Sequence, residues 1–490
     1  MNTRAYSSKS PIRSAIVAVL SSLLIVSLWL NVPPGQADAA QVSLLNGIPF
    51  KDTAGNPLHA HGGGMIKVGS YYYWAGENRD GTNYVSLYRS TDLKNWEFRA
   101  HILSKTSAAE LATANIERPK LLYNASTGKY VLWAHKENGV DYGEARVAVA
   151  SSSNIEGPYT YHGSFRPLGY DSRDMTVYND NGTAYLISAT SVNADLNIYR
   201  LTSDFLGVDS LVSTLWPGSY REAPAMFKRG STYFLITSGA TGWAPNQAKY
   251  ATASSISGTW SALSNFGDSR TFESQSAYVI PVAGSSTTSY LYMGDRWAGA
   301  WSAPVNESKY VWLPLAFPSA TTLSMSWSPK LNVDTATGSL AGVAFSVNTS
   351  ATYELVNRKS GNVLNIRSGS TATGADAEQW DDNNASSQRW QFVDAGSGYY
   401  KIKNVGSGLL LGLTNGSATD GTIIEQWTDG GWTNQHWQLV DAGGGFYKLK
   451  NRATADLIDI SGGSLDNGAN AIAWTDNGGY NQQWQIVEAN

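Results

Sequence analysis

The first three hundred residues alternate short apolar stretches with turns, in the pattern of β-strands. Each stretch follows glycine or another turn residue and is rich in aromatic and aliphatic side chains, which is typical of half-buried or buried strands. Such stretches recur roughly fifty residues apart, over residues 69–75, 128–134, 182–187, 230–236 and 288–293. Four strands of about 8–12 residues with their turns fill one such interval, the size of a propeller blade. The pattern predicts an all-β fold, with a five-bladed β-propeller over residues 41–338.

The last third of the chain repeats itself three times with a period of 47 residues. The form Gln-x-Trp ends in Trp390, Trp437 and Trp484, and the same period relates Trp380, Trp427 and Trp474. Each unit reads as about four strands and is too short to bury a hydrophobic face alone. We expect the three units to close around a pseudo-threefold axis over residues 351–490. Residues 339–350 are small and polar, and are predicted to be a linker.

Composition narrows the class of protein. Charged residues make up only 15% of the 490 residues and aromatic residues 12%, with 18 Trp. The formal net charge is -4, so the basic footprint of a nucleic-acid-binding protein is missing. The chain has no cysteine, which excludes disulfides, thiolate metal sites and a cysteine nucleophile. His59 and His61 form a pair at ligand spacing without a clear third ligand, so we predict neither a metal site nor a cofactor.

Residues 1–39 have the features of a signal peptide. A positively charged start precedes an apolar run over residues 15–32, and Ala37-Asp38-Ala39 has the small-x-small form of a cleavage site. An uncleaved anchor is the alternative, since the run is near the lower limit of about 17–25 residues for a membrane span. We expect cleavage near Ala39 and a secreted, extracellular monomer without further membrane contact.

Polar residues stand just upstream of each aromatic stretch, where the innermost strand of each blade is predicted to begin. In a propeller these positions converge on one end of the central channel, so a shared site is the simplest reason for carboxylates there. The neighbouring arginines leave a structural alternative, a buried ion pair, and the glycine run favours close approach of the backbone to a sugar. The motifs are His59-Ala60-His61-Gly62-Gly63-Gly64, Glu117-Arg118-Pro119, Arg173-Asp174, Arg221-Glu222-Ala223-Pro224 and Glu273-Ser274-Gln275.

In this order, the central three motifs resemble glycoside hydrolase family 43 over residues 45–335, and in particular its exo-β-1,3-galactanase-like subfamily. The resemblance implies a five-bladed propeller that hydrolyses glycosidic bonds with inversion. It implies that Glu222 is the general acid and that Asp174 tunes and orients it. Gln275 and Glu117 match the residues that hold or activate the attacking water, because His61-Gly62-Gly63-Gly64 replaces the family's usual first-blade Asp. Substrate contacts are implied for Glu77, Tyr142, Asp195, Asn197, Thr241 and Gly242.

The general chemistry agrees with these roles. Inversion requires a protonated carboxyl group on the leaving oxygen and a second group on the attacking water, about 6.5–9.5 Å apart. Burial and the nearby negative Asp174 are both expected to raise the pKa of Glu222. An ordinary amide such as Gln275 has no useful basicity, so we expect it to position the water, with Glu117 assisting.

The Gln-x-Trp repeats resemble the ricin-type β-trefoil of carbohydrate-binding module family 13. The resemblance implies that the Gln-x-Trp tryptophans lie in the core, and that sugar sites use an early Asp, an aromatic residue and a late Asn. The third repeat has the full set, Asp459, Trp474 and Asn481. The other two are incomplete: Asn365 and Trp380 are followed by Ser387, while Trp427 and Asn434 are preceded by Gly412. Packing is the alternative role for the three aromatic residues.

Together these features predict an exo-acting hydrolase that releases galactose from β-1,3-galactan, the backbone of plant-type arabinogalactan. Two alternatives stay open. One is another family 43 activity, an arabinofuranosidase or xylosidase, against which the missing first-blade Asp speaks. The other is a non-catalytic lectin that binds galactan.

Overall fold

The computed structural model describes residues 41–489, which form mostly β-strands joined by turns and short 3₁₀-helices. The prediction of a mostly β protein is confirmed. The predicted signal peptide over residues 1–39 lies outside the described residues. Between residues 41 and 489, no helix is long and apolar enough to cross a membrane.

Five consecutive four-stranded antiparallel sheets follow one another along the chain. In each sheet the four strands are adjacent in sequence and in space, so every sheet is a simple meander. The first comprises β2 (His61–Val68), β3 (Tyr71–Glu77), β4 (Asn83–Ser90) and β5 (Glu97–Ser104), and the second β6 (Asn115–Asn124), β7 (Lys129–Glu137), β8 (Arg146–Ser152) and β9 (Thr160–Phe165). The third comprises β10 (Met175–Asp180), β11 (Thr183–Thr190), β12 (Asp195–Leu201) and β13 (Val208–Leu215). The fourth and fifth comprise β14 (Arg221–Arg229), β15 (Thr232–Gly239), β16 (Ala248–Ala253) and β17 (Ser264–Phe266), then β18 (Gln275–Ala283), β19 (Thr288–Arg296), β20 (Lys309–Ala316) and β21 (Ser324–Met325).

The five sheets close into a ring. A hydrophobic core lies between each sheet and the next, and another joins the fifth sheet to the first, where Trp74 packs with Leu291 and Trp312. The first strands of the sheets contact one another around the ring, in the order β2, β6, β10, β14, β18 and back to β2. The residues that begin these five strands are therefore brought together at one end of the ring.

A three-stranded sheet accompanies the ring and joins the two ends of this region. It pairs β1 (Val42–Leu45) with β22 (Lys330–Asp334), and β22 with β23 (Ser339–Val343). The predicted linker over residues 339–350 therefore begins with an ordered strand. Leu340 packs on the core between the fifth and first sheets, and Phe345 and Val347 pack on the core of the C-terminal barrel.

The C-terminal residues form a closed barrel. Six strands pair in a ring, in the order β24 (Tyr353–Asn357), β27 (Trp390–Gly396), β28 (Tyr399–Asn404), β31 (His436–Gly443), β32 (Phe446–Asn451) and β35 (Trp484–Glu488). Three hairpins, one per repeat, lie at one end and pair with each other. They are β25 (Val363–Ile366) with β26 (Ala375–Trp380), β29 (Leu410–Leu413) with β30 (Thr422–Trp427), and β33 (Leu457–Ile460) with β34 (Ala471–Trp474).

The Gln-x-Trp tryptophans fill the centre of this barrel. Trp390, Trp437 and Trp484 are fully buried in one core. Each indole nitrogen donates a hydrogen bond of 3.0 Å to a backbone oxygen of its own repeat, that of Leu364, Leu411 or Ile458. The polar atom of each large buried side chain is thus satisfied, and the threefold repeat of the sequence becomes a threefold repeat of contacts.

Short 3₁₀-helices connect the strands. In the ring they span Ala109–Leu111, Pro167–Gly169, Thr271–Glu273, Ala298–Trp301 and Val305–Glu307. In the barrel they occur twice per repeat at equivalent positions: Arg367–Gly369, Thr414–Gly416 and Ser461–Gly463 follow the first hairpin strand, and Ser386–Gln388, Thr433–Gln435 and Tyr480–Gln482 precede or overlap the Gln-x-Trp motif.

Candidate active site and sugar-binding sites

A β-bulge near the start of four innermost strands orients the side chains of the site. The register shifts between His61 and Gly64, between Glu117 and Lys120, between Glu222 and Ala225, and between Ser276 and Tyr278. A bulge bends the strand and changes the direction of the neighbouring side chain. Arg118 and Ala223 stand in these bulges with positive φ, 54° and 50°, a conformation that side-chain-bearing residues adopt only at a cost.

The bulges and the ring closure bring the four predicted catalytic residues together. Glu117, Asp174, Glu222 and Gln275 line one pocket of about 350 Å³ at the end of the ring. Among the predicted substrate contacts, Glu77, Tyr142 and Gly242 line the same pocket. Residues that are up to 157 positions apart are therefore in direct contact here, since Arg118 bonds Gln275.

Glu222 is buried and held from two sides. Its Oε1 accepts a 2.8 Å hydrogen bond from Gln275 Nε2, and its Oε2 accepts one of 3.2 Å from Asn193 Nδ2. Burial, followed by the negative charge of Asp174, raises the pKa of Glu222 to about 8. The carboxyl group is therefore protonated at neutral pH, which is the state that a general acid requires.

Arg118 links the other members of the site. Its Nη2 lies 2.9 Å from Asp174 Oδ2 and also donates to Gln275 Oε1, while its Nη1 donates to the backbone oxygen of Ser276 at 3.0 Å. Asp174 accepts a further bond of 3.1 Å from the backbone nitrogen of Ala223. A buried guanidinium and a backbone amide thus hold the Asp174 side chain in place beside Glu222.

Gln275 uses all of its hydrogen-bonding groups within the protein. Its oxygen accepts from Arg118 and, at 2.7 Å, from Trp297 Nε1, so its nitrogen must face Glu222 and Ser238, each at 2.8 Å. Gln275 therefore touches the acid directly. To hold a water on the far side of a sugar, as predicted, it must first separate from Glu222 when a sugar enters.

Glu117 is the opposite of Glu222 in its charge state. It accepts hydrogen bonds from Arg79, Asn115 and Tyr142, and its Oε2 lies 3.3 Å from His135 Nδ1. Burial alone would raise the pKa of Glu117, but His135 and Arg79 outweigh it and hold this pKa far below its usual range. Glu117 is thus an ion-paired carboxylate, with Arg79 rather than the adjacent Arg118 as its partner.

The neighbouring Glu77 and Arg221 complete the electrostatic picture. Glu77 bonds Arg79 at 2.9 Å, and burial raises its pKa. Arg221, next to Glu222 in sequence, donates to Thr237 instead of to Glu222. The structural alternative of an ion pair with the adjacent arginine therefore applies to neither Glu117 nor Glu222.

Three predicted substrate contacts lie away from the pocket. Asp195 accepts from the backbone nitrogen of Gly218 and from Ser191, which fixes a loop. Asn197 is buried inside the third sheet between Tyr199 and Thr214. Thr241 donates to the backbone oxygen of Ala244 within its own turn. The prediction that these three residues contact substrate is therefore not supported, since their polar groups serve the fold.

The glycine run of β2 also has a role different from the expected one. A Cβ on Gly62 would lie 2.5 Å from Glu77 Oε1, and one on Gly64 would lie 2.5 Å from the Lys120 side chain. Lys120 is 1% exposed and donates to the backbone oxygen of Gly62 at 2.6 Å. The glycines therefore make room for buried protein side chains, rather than for a sugar.

Several residues of the pocket were not identified from the sequence. Arg79, His135 and Asn193 bind the two key carboxylates, and Trp243 and Trp297 form an aromatic wall with ring centroids 5.7 Å apart. Asn193 stands in a turn with positive φ, 67°. In the sequence, Asn193 is marked only as part of a turn. Trp243 and Trp297 come after the ends of strands and do not recur at a regular spacing.

Glu117, His135 and Asp174 place ligand-type atoms within 4.8 Å of one another, which raises the question of a metal. The His135 imidazole lies between Glu117 and Glu137. Burial alone would lower the pKa of His135, but the two carboxylates raise it to about 9. Both carboxylates of the group already have cationic partners, Arg79 at Glu117 and Arg118 at Asp174.

In the barrel, the third repeat has the arrangement predicted for a sugar site. Asn481 Nδ2 donates to Asp459 Oδ1 at 2.8 Å, and Trp474 is 38% exposed. A carboxylate can accept two sugar hydroxyls while an indole face covers the apolar face of the ring. Trp380 and Trp427 have the same partial exposure, so pure packing does not describe these three side chains.

The first and second repeats differ from the third in how their polar groups are used. Asn365 accepts from Ser387 at 2.9 Å and donates to Glu378 at 3.0 Å, and Arg367 also binds Glu378. Its polar groups are therefore already engaged. In the second repeat Gly412 faces Glu425 across the hairpin.

The missing carboxylate of the second repeat has a neighbour that can stand in for it. A cavity of about 550 Å³ contains Trp427, Asn434, Glu425 and a fourth residue, Trp432. Asn434 donates to the backbone oxygen of Leu413 at 3.1 Å. From the sequence the second repeat is incomplete, because Gly412 takes the place of the Asp. The carboxylate of Glu425 comes instead from the partner strand of the hairpin.

Comparison with known proteins agrees with both halves of the molecule. The family model for glycosyl hydrolases family 43 matches residues 59–275, and that for the ricin-type β-trefoil lectin domain-like family matches residues 343–427 and 433–490. The exo-β-1,3-galactanase of Clostridium thermocellum is 48% identical, with a TM-score of 0.62, over 91% of this chain and 100% of that chain.

Two more distant relatives extend this comparison. The exo-β-1,3-galactanase of Phanerochaete chrysosporium, solved with β-1,3-galactotriose, is 29% identical with a TM-score of 0.60, over 91% of this chain and 99% of that chain. A xylan 1,3-β-xylosidase of Vibrio sp is 22% identical over 192 residues, which are 35% of this chain and 35% of that protein. The chain belongs to glycoside hydrolase family 43, is a glycoside hydrolase, and carries a C-terminal ricin-type β-trefoil lectin-like domain.

Proposed function

We propose that the protein is an exo-acting β-1,3-galactanase that releases galactose from β-1,3-galactan with inversion. The observation that carries the proposal is that the buried Glu222 and the Arg118-bound Asp174 lie in one pocket, where burial and the charge of Asp174 raise the pKa of Glu222. The similarity to two exo-β-1,3-galactanases supports the choice of substrate. In this proposal the five sheets are the five blades of a β-propeller, and the C-terminal barrel is a β-trefoil.

Glu222 donates its proton to the leaving glycosidic oxygen. Asp174 favours that proton by its charge, and Gln275 and Asn193 fix the direction of the carboxyl group. Water must attack from the opposite face, and the group that activates it typically lies about 6.5–9.5 Å from the acid. Two groups compete for that water: Gln275, once the entering sugar has separated it from Glu222, and the ionised Glu117.

The two candidates for the water differ in a way that variants can separate. Glu117→Gln removes a carboxylate and leaves its hydrogen-bonding shape, while Gln275→Ala removes the amide that also orients Glu222. If Glu117 activates the water, added azide or formate should restore turnover in Glu117→Gln, because a small anion can replace the lost nucleophile activation. Rescue in Gln275→Ala only would assign the water to Gln275.

The substrate and the stereochemistry are tested by product analysis. Linear β-1,3-galactan should yield galactose as the sole early product, and proton NMR in the first turnovers should show the α-anomer. Early release of the β-anomer would exclude inversion. A panel of aryl glycosides separates the proposal from an arabinofuranosidase or a xylosidase, and binding of galactan without any hydrolysis would favour a lectin.

The cellular setting is part of the same proposal. The signal-like residues 1–39 support secretion, and in this proposal the secreted chain is a monomer whose trefoil holds the enzyme on a plant-type arabinogalactan. Amino-terminal sequencing of the secreted protein tests the cleavage near Ala39. Retention in the membrane fraction would contradict it, and light scattering of the purified chain measures the oligomeric state.

A further inference from the structure

A second cleft lies beside the catalytic pocket, between the ring of sheets and the barrel. It has a volume of about 270 Å³ and shares Trp243, Gln275 and Trp297 with the catalytic pocket. Its far wall comes from the barrel and includes Phe446 and Tyr480. The volume corresponds to about nine water molecules at about 30 Å³ each, which suits one sugar unit rather than a chain.

The charge of this cleft is opposite to that of the whole protein. Its walls hold five basic and two acidic residues, whereas the chain has a net charge of -4. Both acidic residues are already bound: Glu273 by Arg270 and Arg358, and Asp295 by His61 and Gly62. The remaining positive charges, on Arg296, Lys309 and Lys359, have no carboxylate partner within ion-pair distance among residues 41–489.

Two of these cations face each other across a pair of strands. Arg296 at the end of β19 lies directly opposite Lys309 at the start of β20, and like charges in this relation are destabilising. Arg296 is 4% exposed and donates to the backbone oxygen of Phe272 and to Gln485, so it cannot move away.

Lys309 is the cation best placed to bind a ligand, because Arg296 is held by the protein and Lys359 is exposed to solvent. Within the described part of the chain the ammonium group of Lys309 makes neither an ion pair nor a hydrogen bond, and it lies 5.5 Å from the centre of the Trp301 ring. Burial, followed by repulsion from Arg296, lowers the pKa of Lys309 to about 8. A carboxylate beside it would relieve both costs, because it would supply the missing opposite charge.

We propose that this cleft binds a negatively charged sugar of the polysaccharide, a uronate unit, whose carboxylate pairs with Lys309 beside Arg296. The aromatic ring of Trp301 offers a face for the sugar ring, whereas that of Tyr480 is covered by Arg358 and Arg270. The inference rests on the proposed function, which makes a polysaccharide the substrate. Because the two cavities share a wall, a galactan chain in the catalytic pocket and a charged branch in the cleft can be bound together.

Calorimetric titration of the full chain with D-glucuronate, and with D-glucose as the neutral match, tests the proposal. Glucuronate should bind and glucose should not bind at this site, and excess galactose should not displace the glucuronate. Lys309→Met should weaken glucuronate binding by about tenfold or more, since a hydrogen bond to a charged group is lost. Lys309→Arg should retain most of it. The matched control is Lys94→Met, which removes an exposed lysine outside the cleft.

Three results would overturn the proposal. These are no glucuronate binding to the wild type, equal loss in Lys94→Met and Lys309→Met, or displacement of glucuronate by an equal concentration of sulfate, which would show an anion site without sugar recognition. Circular dichroism of Lys309→Met confirms that it is folded. The titration needs no turnover, so a protein that binds glucuronate but releases no galactose would refute only the proposed activity.

Discussion

The catalytic pocket and the third-repeat sugar site use similar residues but are built in different ways. Each sets a carboxylate beside an amide and an indole. In the pocket, contacts such as that between Arg118 and Gln275 join residues 157 positions apart. In the barrel, Asp459 and Asn481 are 22 positions apart within a single repeat.

This difference determines which partners compensate the charges of the carboxylates. In the pocket four strand ends meet, so several carboxylates crowd together and require Arg79, Arg118 and His135 as buried partners. In the barrel the third repeat has a single carboxylate, Asp459, which is 3% exposed and accepts a hydrogen bond from the Asn481 amide. A pocket assembled from distant residues therefore depends on a network, whereas a repeated site can lose single residues, as Gly412 shows, without harm to the barrel.

The largest expected effect is the loss of the general acid. Glu222→Gln should reduce kcat by about 10²–10⁴, the typical contribution of a general acid. The amide keeps the shape and its oxygen can still accept from Gln275 Nε2, so the melting temperature should stay close to that of the wild type. Galactose release at a near-normal rate would remove Glu222 from the mechanism. As the comparison predicts, Asp459→Asn in the barrel should leave hydrolysis of a short oligomer unchanged.

The second effect concerns stability of the buried network. Arg118→Met leaves Asp174 buried without its ion-pair partner, and breaking one side of such a pair typically costs about 3–5 kcal/mol. Lys448→Met is the matched change in the barrel, where Lys448 pairs with Asp476, whose side chain is 50% exposed. That loss should be about 1 kcal/mol or less. Urea unfolding measures the free energy of unfolding of both variants, and equal losses would contradict the difference between the pocket and the barrel.

Which features could be predicted from the sequence depended on whether they recur at a regular spacing. The strand pattern, the Gln-x-Trp repeat and the meeting of Glu117, Asp174, Glu222 and Gln275 could be predicted, because regular spacing translates directly into equivalent positions. The contacts of Asp195, Asn197 and Thr241 within the fold could not, because each depends on a loop or strand neighbour that follows no regular spacing.

The unpredicted residues share a physical reason. Arg79 reaches the site from a turn, and Lys120 is buried only because Gly62 and Gly64 leave space for it. Neither Arg79 nor Lys120 belongs to a residue pattern that repeats along the sequence. The second cleft, which contains Lys309, forms where the barrel packs against the ring, and no sequence motif predicts that contact.

The third prediction separates core from surface tryptophans in one repeat. Trp437→Ala removes a fully buried indole and should cost about 3–5 kcal/mol of unfolding free energy. Trp427→Ala, at a position 39% exposed, should cost much less and should instead weaken sugar binding to the cavity with Trp432. Thermal unfolding and galactose titration of both variants give the two readouts, and a Trp427→Ala variant as unstable as Trp437→Ala would restore the packing interpretation.

The fourth prediction uses the raised pKa of Glu222. The acid is active only when protonated, so kcat/KM should fall as the pH rises through about 8. The folded-state pKa lies above the value of 4.5 for an ordinary Glu. The contribution of this group to stability is thus complete below about 4.5 and is lost as the pH rises through 8.

Replacement of Asp174 tests the cause of that pKa. Asp174→Asn removes the negative charge, so the alkaline limb of the pH–rate profile should move to lower pH. A change of rate at every pH without a shift of the limb would mean that Asp174 acts only in packing. Asp459→Asn in the barrel should leave the profile where it was.

The smallest expected effect falls on the polymer alone. Asp459→Asn combined with Trp474→Ala should remove sugar binding by the third repeat, while the interface that packs the barrel on the ring stays intact. A second binding module raises the effective concentration of substrate at the catalytic pocket, so the double variant should raise KM for branched polymer several-fold and leave a trisaccharide unaffected. Steady-state kinetics on the two substrates measure this ratio. Equal losses on both would mean that the barrel supports the pocket by structure and not by binding, and the separation of the two regions would then fail.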